Sequence, residues 1–251
     1  MFNFDGAEFR YEPYPIGLIR PIMEPALYDA LVDSFPPLEL FKFFPGIGKK
    51  YSLSEKFNPG KYHDFIAQNS TWRELHAWVK SKAFFRSVDK MLRANYIDLG
   101  FKSANFSEAT IWGWRLSEMM KGHWPSGDRT FRTRFEFSML PADGGVIKPH
   151  TDSTRKVATL IVSMAKAGEW DPSYGGGTDV NKPKDHRYTY NYLNNKVPFE
   201  EIELLHTYEF QPNQCIIFIK TFNSLHSVRP MTVTGSKAMR RTLTINIERQ
   251  G

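Results

Sequence analysis

The sequence predicts a mostly β protein with helices in its N-terminal part and flanking its sheets. From about residue 107 onward, short apolar or alternating runs are separated by Gly, Pro, Asn and Asp, which is typical of a many-stranded sandwich or barrel. Between about residues 20 and 100, apolar residues recur at intervals of three and four, which indicates amphipathic helices. No repeat or composition break divides the 251 residues. We therefore expect one domain, with residues 1–105 mainly helical and 106–251 forming the β core.

The predicted helices each have a local signal. Residues 23–34 place apolar side chains on one face, and Pro25 suits a first helical turn. Thr71 and Glu74 have the spacing of a capping box, in which each side chain satisfies a free backbone amide of the other. A further helix is predicted over residues 81–95.

The predicted strands follow in the second half of the chain. They cover residues 109–116, 132–140, 157–164, 202–209, 215–219 and 241–247. The glycine cluster at 174–179 and the aperiodic stretch 185–197 are predicted to be loops.

Composition limits the chemistry of any site. Cys215 is the only cysteine, so an intrachain disulfide and a cysteine-rich metal site are both excluded, and a metal must bind through His, Asp or Glu. A net charge of +6 arises from scattered residues and does not by itself identify a partner. No stretch reaches the roughly 18 apolar residues of a membrane-spanning helix, and the N-terminus lacks the order of a secretory signal. We therefore expect a cytoplasmic protein without a membrane partner.

The residues with metal-binding potential concentrate around His150. In an extended segment, His150 and Asp152 point to the same face and can reach one metal, while Thr151 points away. His226, in a loop after an apolar strand, supplies a plausible third ligand. Two histidines and one carboxylate leave positions open on Fe(II) for O₂ and a chelating acid. A His-x-Asp tripeptide is common, so this interpretation depends on the motifs around it.

Five motifs, taken in order, resemble the Fe(II)/2-oxoglutarate dioxygenases, and most closely the prolyl-4-hydroxylase-like branch. They are PHTDS (149–153), YGGGTD (174–179), PNQCIIF (212–218), LHSV (225–228) and RRTLT (240–244), within residues 132–248. The resemblance implies a double-stranded β-helix core of the jelly-roll or cupin type. It also implies that His150, Asp152 and His226 are the catalytic iron ligands, and that Fe(II), 2-oxoglutarate and O₂ are used with release of succinate and CO₂.

The resemblance also implies a basic residue at the start of the last strand, which binds the far carboxylate of 2-oxoglutarate. Both Arg240 and Arg241 are candidates, since a guanidinium binds a carboxylate through two parallel hydrogen bonds. The family pattern Arg-x-Ser/Thr favours Arg240 with Thr242, and it places Leu243 and the alternate aliphatic residues on the other face. Thr159, on the strand after the His-x-Asp motif, is a further candidate for contact with 2-oxoglutarate, although such a residue is often only hydrogen-bonded within the protein.

The sequence leaves the substrate open. Asp152 favours hydroxylation over halogenation, because related halogenases have a small residue there, and small-molecule, sugar-linked and peptidyl substrates are all compatible. A nucleic-acid demethylase of the same superfamily is an alternative, but that branch has an arginine six residues after the 2-oxoglutarate arginine, where this chain has Asn246. The lack of a basic tract with interleaved aromatics also counts against nucleic acid as a partner. The remaining alternative is a non-catalytic jelly-roll metal-binding protein.

Overall fold

The computed structural model describes residues 1–101, 105–106 and 130–250. The predicted strand at 109–116 lies outside these residues. The helices are α1 (Pro25–Asp33), α2 (Pro59–Gln68), α3 (Ser70–Val79) and α4 (Lys82–Ala94). The strands are β1 (Glu8–Arg10), β2 (Ile16–Ile19), β3 (Lys42–Phe44), β4 (Lys50–Ser54), β5 (Asn105–Phe106), β6 (Thr130–Pro141), β7 (Ile147–His150), β8 (Lys156–Ser163), β9 (Thr178–Pro183), β10 (Ile202–Tyr208), β11 (Cys215–Ile219), β12 (His226–Val228) and β13 (Met239–Gln250).

The described strands form two sheets. The larger sheet has the order β1-β2-β11-β8-β13-β6-β4-β3, with β5 parallel to β6, and the smaller has the order β10-β9-β12-β7. From β6 onward the chain passes repeatedly between the sheets, so that β6-β13-β8-β11 in one sheet faces β7-β12-β9-β10 in the other. This eight-strand order is that of a jelly roll, that is, a double-stranded β-helix. The mostly β fold and its core type are as predicted.

The predicted strands within the described part correspond to β6, β8, β10, β11 and β13, with ends that differ by up to three residues. The predicted helices 23–34 and 81–95 correspond to α1 and α4. The capping-box prediction was wrong, because α3 begins at Ser70 and its N-cap is Asn69, whose Oδ1 accepts a hydrogen bond from the Trp72 amide at 3.1 Å. Helix α2 was not predicted.

The N-terminal part contributes more β structure than the sequence predicted. Strands β2 and β4 extend the large sheet, β2 beside β11 and β4 beside β6. Both are short, and three of the four residues of β2 are buried, so neither shows the alternation that identifies a half-exposed strand.

The main core lies between the outer face of the large sheet and the helices. Leu243, Ile245 and Ile247 of β13 are fully buried there with Trp72 of α3 and Phe84 of α4. Burial of each such side chain contributes about 1.5–3 kcal/mol. The outward face of β13 is therefore occupied by helix packing, and its other face, which carries the polar residues, points between the two sheets.

A smaller apolar cluster closes part of the space between the sheets. Its buried members are Tyr14, Ile16, Val180, Tyr208, Ile216 and Phe218. The described helices are all too short or too polar to cross a bilayer.

Candidate metal centre

The structure brings His150, Asp152 and His226 together. His150 is the last residue of β7, His226 is the first residue of β12, and the two are direct partners in the small sheet. Asp152 lies two residues beyond β7. One ligand atom from each side chain lies within 4.8 Å of the others. With metal–ligand bonds of about 2.1 Å, neighbouring ligand atoms around an octahedral ion are about 3 Å apart. Small shifts of the three side chains would therefore bring their ligand atoms to the distances that one bound metal ion requires.

Asp152 reaches the site by a different route from the one predicted. The expected extended backbone ends at His150, and Asp152 has a φ of 70°, in the left-handed region. Aspartate tolerates this conformation better than most residues, because its short polar side chain bonds locally. The side chain of Thr151 is buried and donates a hydrogen bond to the Asn191 carbonyl, so it points away from the other two, as predicted.

Backbone contacts prepare both imidazoles for metal binding. Nδ1 of His150 lies 2.9 Å from the Lys148 carbonyl oxygen, and Nδ1 of His226 lies 2.9 Å from that of Ser224. Because a carbonyl oxygen only accepts, each Nδ1 carries the proton and each Nε2 keeps its lone pair for a metal. Burial lowers the pKa of His226 to about 3 and also lowers the pKa of His150. Both rings are therefore neutral at pH 7, the form that binds metals.

The carboxylate of Asp152 is held by two donors. Lys156 Nζ lies 2.6 Å from Oδ1, and Thr159 Oγ1 lies 2.9 Å from Oδ2. Burial alone would raise the pKa of Asp152, but the ammonium of Lys156 holds this pKa well below its ordinary value. Asp152 is thus an anion that a divalent cation can bind.

Thr159, predicted to contact 2-oxoglutarate, lies beside Asp152 and Asn246. Its Oγ1 is 3.2 Å from Asn246 Oδ1, but its one proton goes preferentially to the charged carboxylate. Asn246 is fully buried, and its Nδ2 has no partner among the described residues. If the amide is rotated so that Nδ2 bonds Thr159, Oδ1 loses its partner instead. In either orientation, one polar atom of Asn246 is left for a ligand.

The two candidate arginines lie in different environments. Arg240 is 6% exposed, donates a hydrogen bond from Nε to the Gly176 carbonyl, and lies 4.9 Å from the Phe210 ring centroid. It has no carboxylate partner in the described part of the chain, and burial lowers its pKa to about 10. Arg241, on the opposite face, forms an ion pair with the exposed Glu169.

Arg240 therefore has what a co-substrate anchor needs: a buried cation that contacts no carboxylate in the described part of the chain, since the nearby Asp179 is paired with Arg229. Its assignment to 2-oxoglutarate stays a prediction. Thr242 is buried beside it on the same face and pairs in register with Ser138 and Ser163 of the neighbouring strands.

Strand β6 presents a polar face to the interior, but its charges are paired. Arg134 contacts Glu136 at 2.7 Å and Glu248 at 3.0 Å, and Lys50 contacts Glu136 at 2.7 Å. Each of these cations therefore has a carboxylate partner, and the network forms a polar surface of the interior in which the charges balance one another.

Sequence reasoning missed three contacts around the metal centre. Phe218 stacks on His226, with ring centroids 4.3 Å apart and planes at 16°. Lys156 bonds Asp152, and Lys220 Nζ donates to Thr151 Oγ1 at 2.9 Å. The spacing of Lys156, four residues after Asp152, was visible in the sequence, whereas the contact of Lys220 joins distant segments and leaves no local pattern.

A cavity of about 470 Å³ lies elsewhere, between β1, β2 and β10. Its lining includes Phe9, Arg10 and Tyr208 but none of the three metal-ligand candidates. Ionisable side chains such as Glu8, Arg20 and His206 line this cavity. Among the described residues, however, only His150, Asp152 and His226 bring three potential metal-ligand atoms within 4.8 Å of one another, so the metal centre is the stronger candidate site.

No protein-family model matches the sequence, and no curated protein is detectably similar to it. The chain is structurally similar to solved oxygenases. A prolyl-4-hydroxylase from Pseudomonas putida is 13% identical with a TM-score of 0.49, over 94% of this chain and 92% of that one. A prolyl hydroxylase from Trichoplax adhaerens, solved with a hypoxia inducible factor peptide, is 10% identical with a TM-score of 0.46, over 93% and 83%.

A third similar structure is SnoN, a non-haem α-ketoglutarate-dependent epimerase from nogalamycin biosynthesis. It is 10% identical with a TM-score of 0.48, over 95% of this chain and 78% of that one. Likeness at this level says nothing about what this chain binds or catalyses. The fold assignment rests on the strand order, and the proposal below rests on the site.

Proposed function

We propose that this protein is an Fe(II)- and 2-oxoglutarate-dependent oxygenase that hydroxylates an unactivated C–H bond and releases succinate and CO₂. The observation that carries the proposal is the convergence of His150, Asp152 and His226 between two sheets whose interior also holds the buried guanidinium of Arg240, which contacts no carboxylate among the described residues. Two neutral imidazoles and one carboxylate are the ligand set of non-haem Fe(II) oxygenases.

The donor set fits Fe(II). His150, Asp152 and His226 would hold the ion, which when bound supplies the activation of O₂ coupled to decarboxylation of the oxoacid. Thr159 and Lys156 orient Asp152 through its two oxygens, and Phe218 keeps the His226 ring in place. Such outer contacts fix the direction of ligand lone pairs and typically change metal affinity 10- to 100-fold.

The interior also fits 2-oxoglutarate. Arg240 would bind the distal carboxylate, which is the partner that a buried guanidinium requires. Thr242 lies beside it, and Asn246 offers an unpartnered polar atom near Asp152. The apolar cluster around Phe218 limits water on the β11 side, which favours reaction with a bound C–H bond over unproductive turnover.

Succinate formation tests this proposal. Protein with Fe(II), 2-oxoglutarate and O₂ should form succinate slowly without substrate, and His150→Ala should lose this activity. His186→Ala is the matched control, because the His186 side chain is 97% exposed and lies outside the cluster. If the protein only binds metal without catalysis, the result differs. Metal then raises the melting temperature, but neither the wild type nor His186→Ala forms succinate.

We further propose that the substrate is a small-molecule, sugar-linked or peptidyl compound. A succinate-formation screen against amino acids, peptides, glycans, nucleotides and oligonucleotides tests this assignment. Stimulation by alkylated oligonucleotides alone would instead identify the demethylase activity.

A further inference from the structure

Strand β1 is the outermost strand of the large sheet. It pairs antiparallel with β2, with Glu8 opposite Leu18, and within the described residues no strand lies on its other side. Alternate residues of such an edge strand turn their backbone N–H and C=O groups away from the sheet. An edge of this kind can pair with another extended segment, and proteins either block it or use it.

The edge of β1 lacks the usual blocks. Its sequence, Glu-Phe-Arg, contains no proline, and its register with β2 shows no bulge. The ring of Phe9 turns back over Gly17 of β2, where a Cβ atom would lie only 2.7 Å from Phe9 Cζ. The central side chain of the strand therefore leaves the outer edge uncovered.

The two charged residues of β1 lie on one face and are available for a partner. Glu8 and Arg10 point to the same side because strand side chains alternate, and both are exposed. Neither side chain forms an ion pair or a hydrogen bond within the part of the chain that the structure describes. Both line the cavity of about 470 Å³ beside β10, so this face of β1 is not packed against the small sheet.

The order of these charges makes the edge complementary to itself. In an antiparallel pair of β1 strands centred on Phe9, Glu8 of each copy lies directly opposite Arg10 of the other. Directly opposite side chains of opposite charge stabilise a strand pair, and like charges destabilise it. Parallel pairing in register would place each charge beside its like.

This self-complementarity favours a second copy of the chain as the partner. Charges on an edge strand often prevent pairing, but only where the approaching strand does not neutralise them. Here a two-fold axis through Phe9 uses the same three residues twice and neutralises both charges of each copy. Such an isologous contact is the arrangement found in most symmetric dimers.

We propose that two copies of this protein associate through their β1 strands, antiparallel and centred on Phe9, so that their large sheets join into one continuous sheet. The proposal is independent of the proposed function, because it uses no residue of the metal centre. A contact centred on a three-residue strand is smaller than the roughly 1,200–2,000 Å² of a standard interface. The dimer should therefore dissociate on dilution, with a dissociation constant in the micromolar range.

The first test is sedimentation equilibrium over a series of protein concentrations. Glu8→Arg places an arginine opposite an arginine at both ends of the paired strands, and it should weaken the dimer at least about fivefold. Arg10→Glu should do the same through two pairs of glutamates. The exchange variant Glu8→Arg/Arg10→Glu restores opposite charges at both positions, and it should associate within about twofold of wild type.

Two exposed residues on the helices provide matched controls. Glu74→Arg on α3 and Arg86→Glu on α4 make the same changes of charge away from β1. Both should leave the dissociation constant of the dimer unchanged. Equal weakening by these variants would mean that net charge, and not strand pairing, controls association.

The second test is disulfide formation between two different variants. Residues directly opposite in an antiparallel pair have Cα atoms about 4.5–5.5 Å apart, within the range that a disulfide bridges. A mixture of Glu8→Cys and Arg10→Cys proteins should therefore crosslink at least about tenfold faster than either variant alone. The native Cys215 is buried and does not compete.

The crosslinking rate decides the question if a charge variant does not fold. The proposal is overturned if wild type stays monomeric up to its solubility limit, or if folded Glu8→Arg associates as tightly as wild type. It is also overturned if the mixture crosslinks no faster than the separate cysteine variants. Monomeric wild type that binds an extended peptide of another protein at β1 would assign the edge to that partner instead.

Discussion

Replacement of Arg240 by methionine should separate 2-oxoglutarate binding from folding stability. The pKa of Arg240 falls from 12.5 to about 10, so burial disfavours its charged form by roughly 3 kcal/mol at about 1.4 kcal/mol per pH unit. The hydrogen bond from Arg240 to the Gly176 carbonyl offsets about 1.5–3 kcal/mol of this cost. Methionine keeps an apolar contact with Phe210, so the free energy of unfolding without 2-oxoglutarate should stay within about 2 kcal/mol of wild type or rise.

The affinity for 2-oxoglutarate should change far more. Removing one partner of a buried charge pair costs about 2–5 kcal/mol, which corresponds to a loss of at least about 30-fold. Calorimetric titration of 2-oxoglutarate into anaerobic Fe(II) protein measures this loss, and denaturant unfolding of the same variant measures stability.

Arg241→Met is the matched control, since it removes the same group from the adjacent residue on the opposite face. It should leave 2-oxoglutarate affinity within twofold of wild type, because Arg241 pairs with Glu169 outside the interior. The reasoning is refuted if Arg240→Met loses several kcal/mol of stability while 2-oxoglutarate affinity is unchanged, or if Arg241→Met carries the affinity loss.

Three further predictions concern the surroundings of the site. Thr159→Val should weaken Fe(II) affinity roughly tenfold in competition with a chelator, because it removes the hydroxyl that orients Asp152; unchanged affinity would contradict this role. Glu136 has its pKa lowered from 4.5 to about 2, so its ion pairs stabilise the fold fully above about pH 4.5 and lose up to about 3 kcal/mol as the pH falls to about 2. Denaturant unfolding at pH 3 and 7 should show a smaller difference in Glu136→Gln than in wild type, and an equal one would exclude this contribution. Ile245→Ala should lower the free energy of unfolding by about 2–5 kcal/mol without changing Fe(II) affinity, and a mild effect would mean that β13 is not packed against the helices as described.

The two faces of β13 were predictable because strand periodicity separates them. Arg240 and Arg241 are identical in type, yet alternation with Leu243 and Ile245 places one inside and the other outside. The same periodicity predicted that Asp152 continues the strand of His150, and this was wrong. Asp152 has a left-handed backbone conformation, which turns the chain out of the strand. A sequence pattern specifies which side chains share a regular element, but it does not specify where that element ends.

Contacts between distant segments were not predictable from local patterns. Lys220 and Thr151 are 69 residues apart in the chain, and only the packing of their two segments brings them together. Strands β2 and β4 were missed for a related reason, since each is ordered by pairing with a distant strand and is too short to show its own period.

The central claim is that His150, Asp152 and His226 bind Fe(II) with an open face for 2-oxoglutarate. Anaerobic addition of Fe(II) and then 2-oxoglutarate should produce a weak visible charge-transfer band in wild type that is absent from His150→Ala. A band of equal strength in both proteins, or no band in wild type, would contradict the claim.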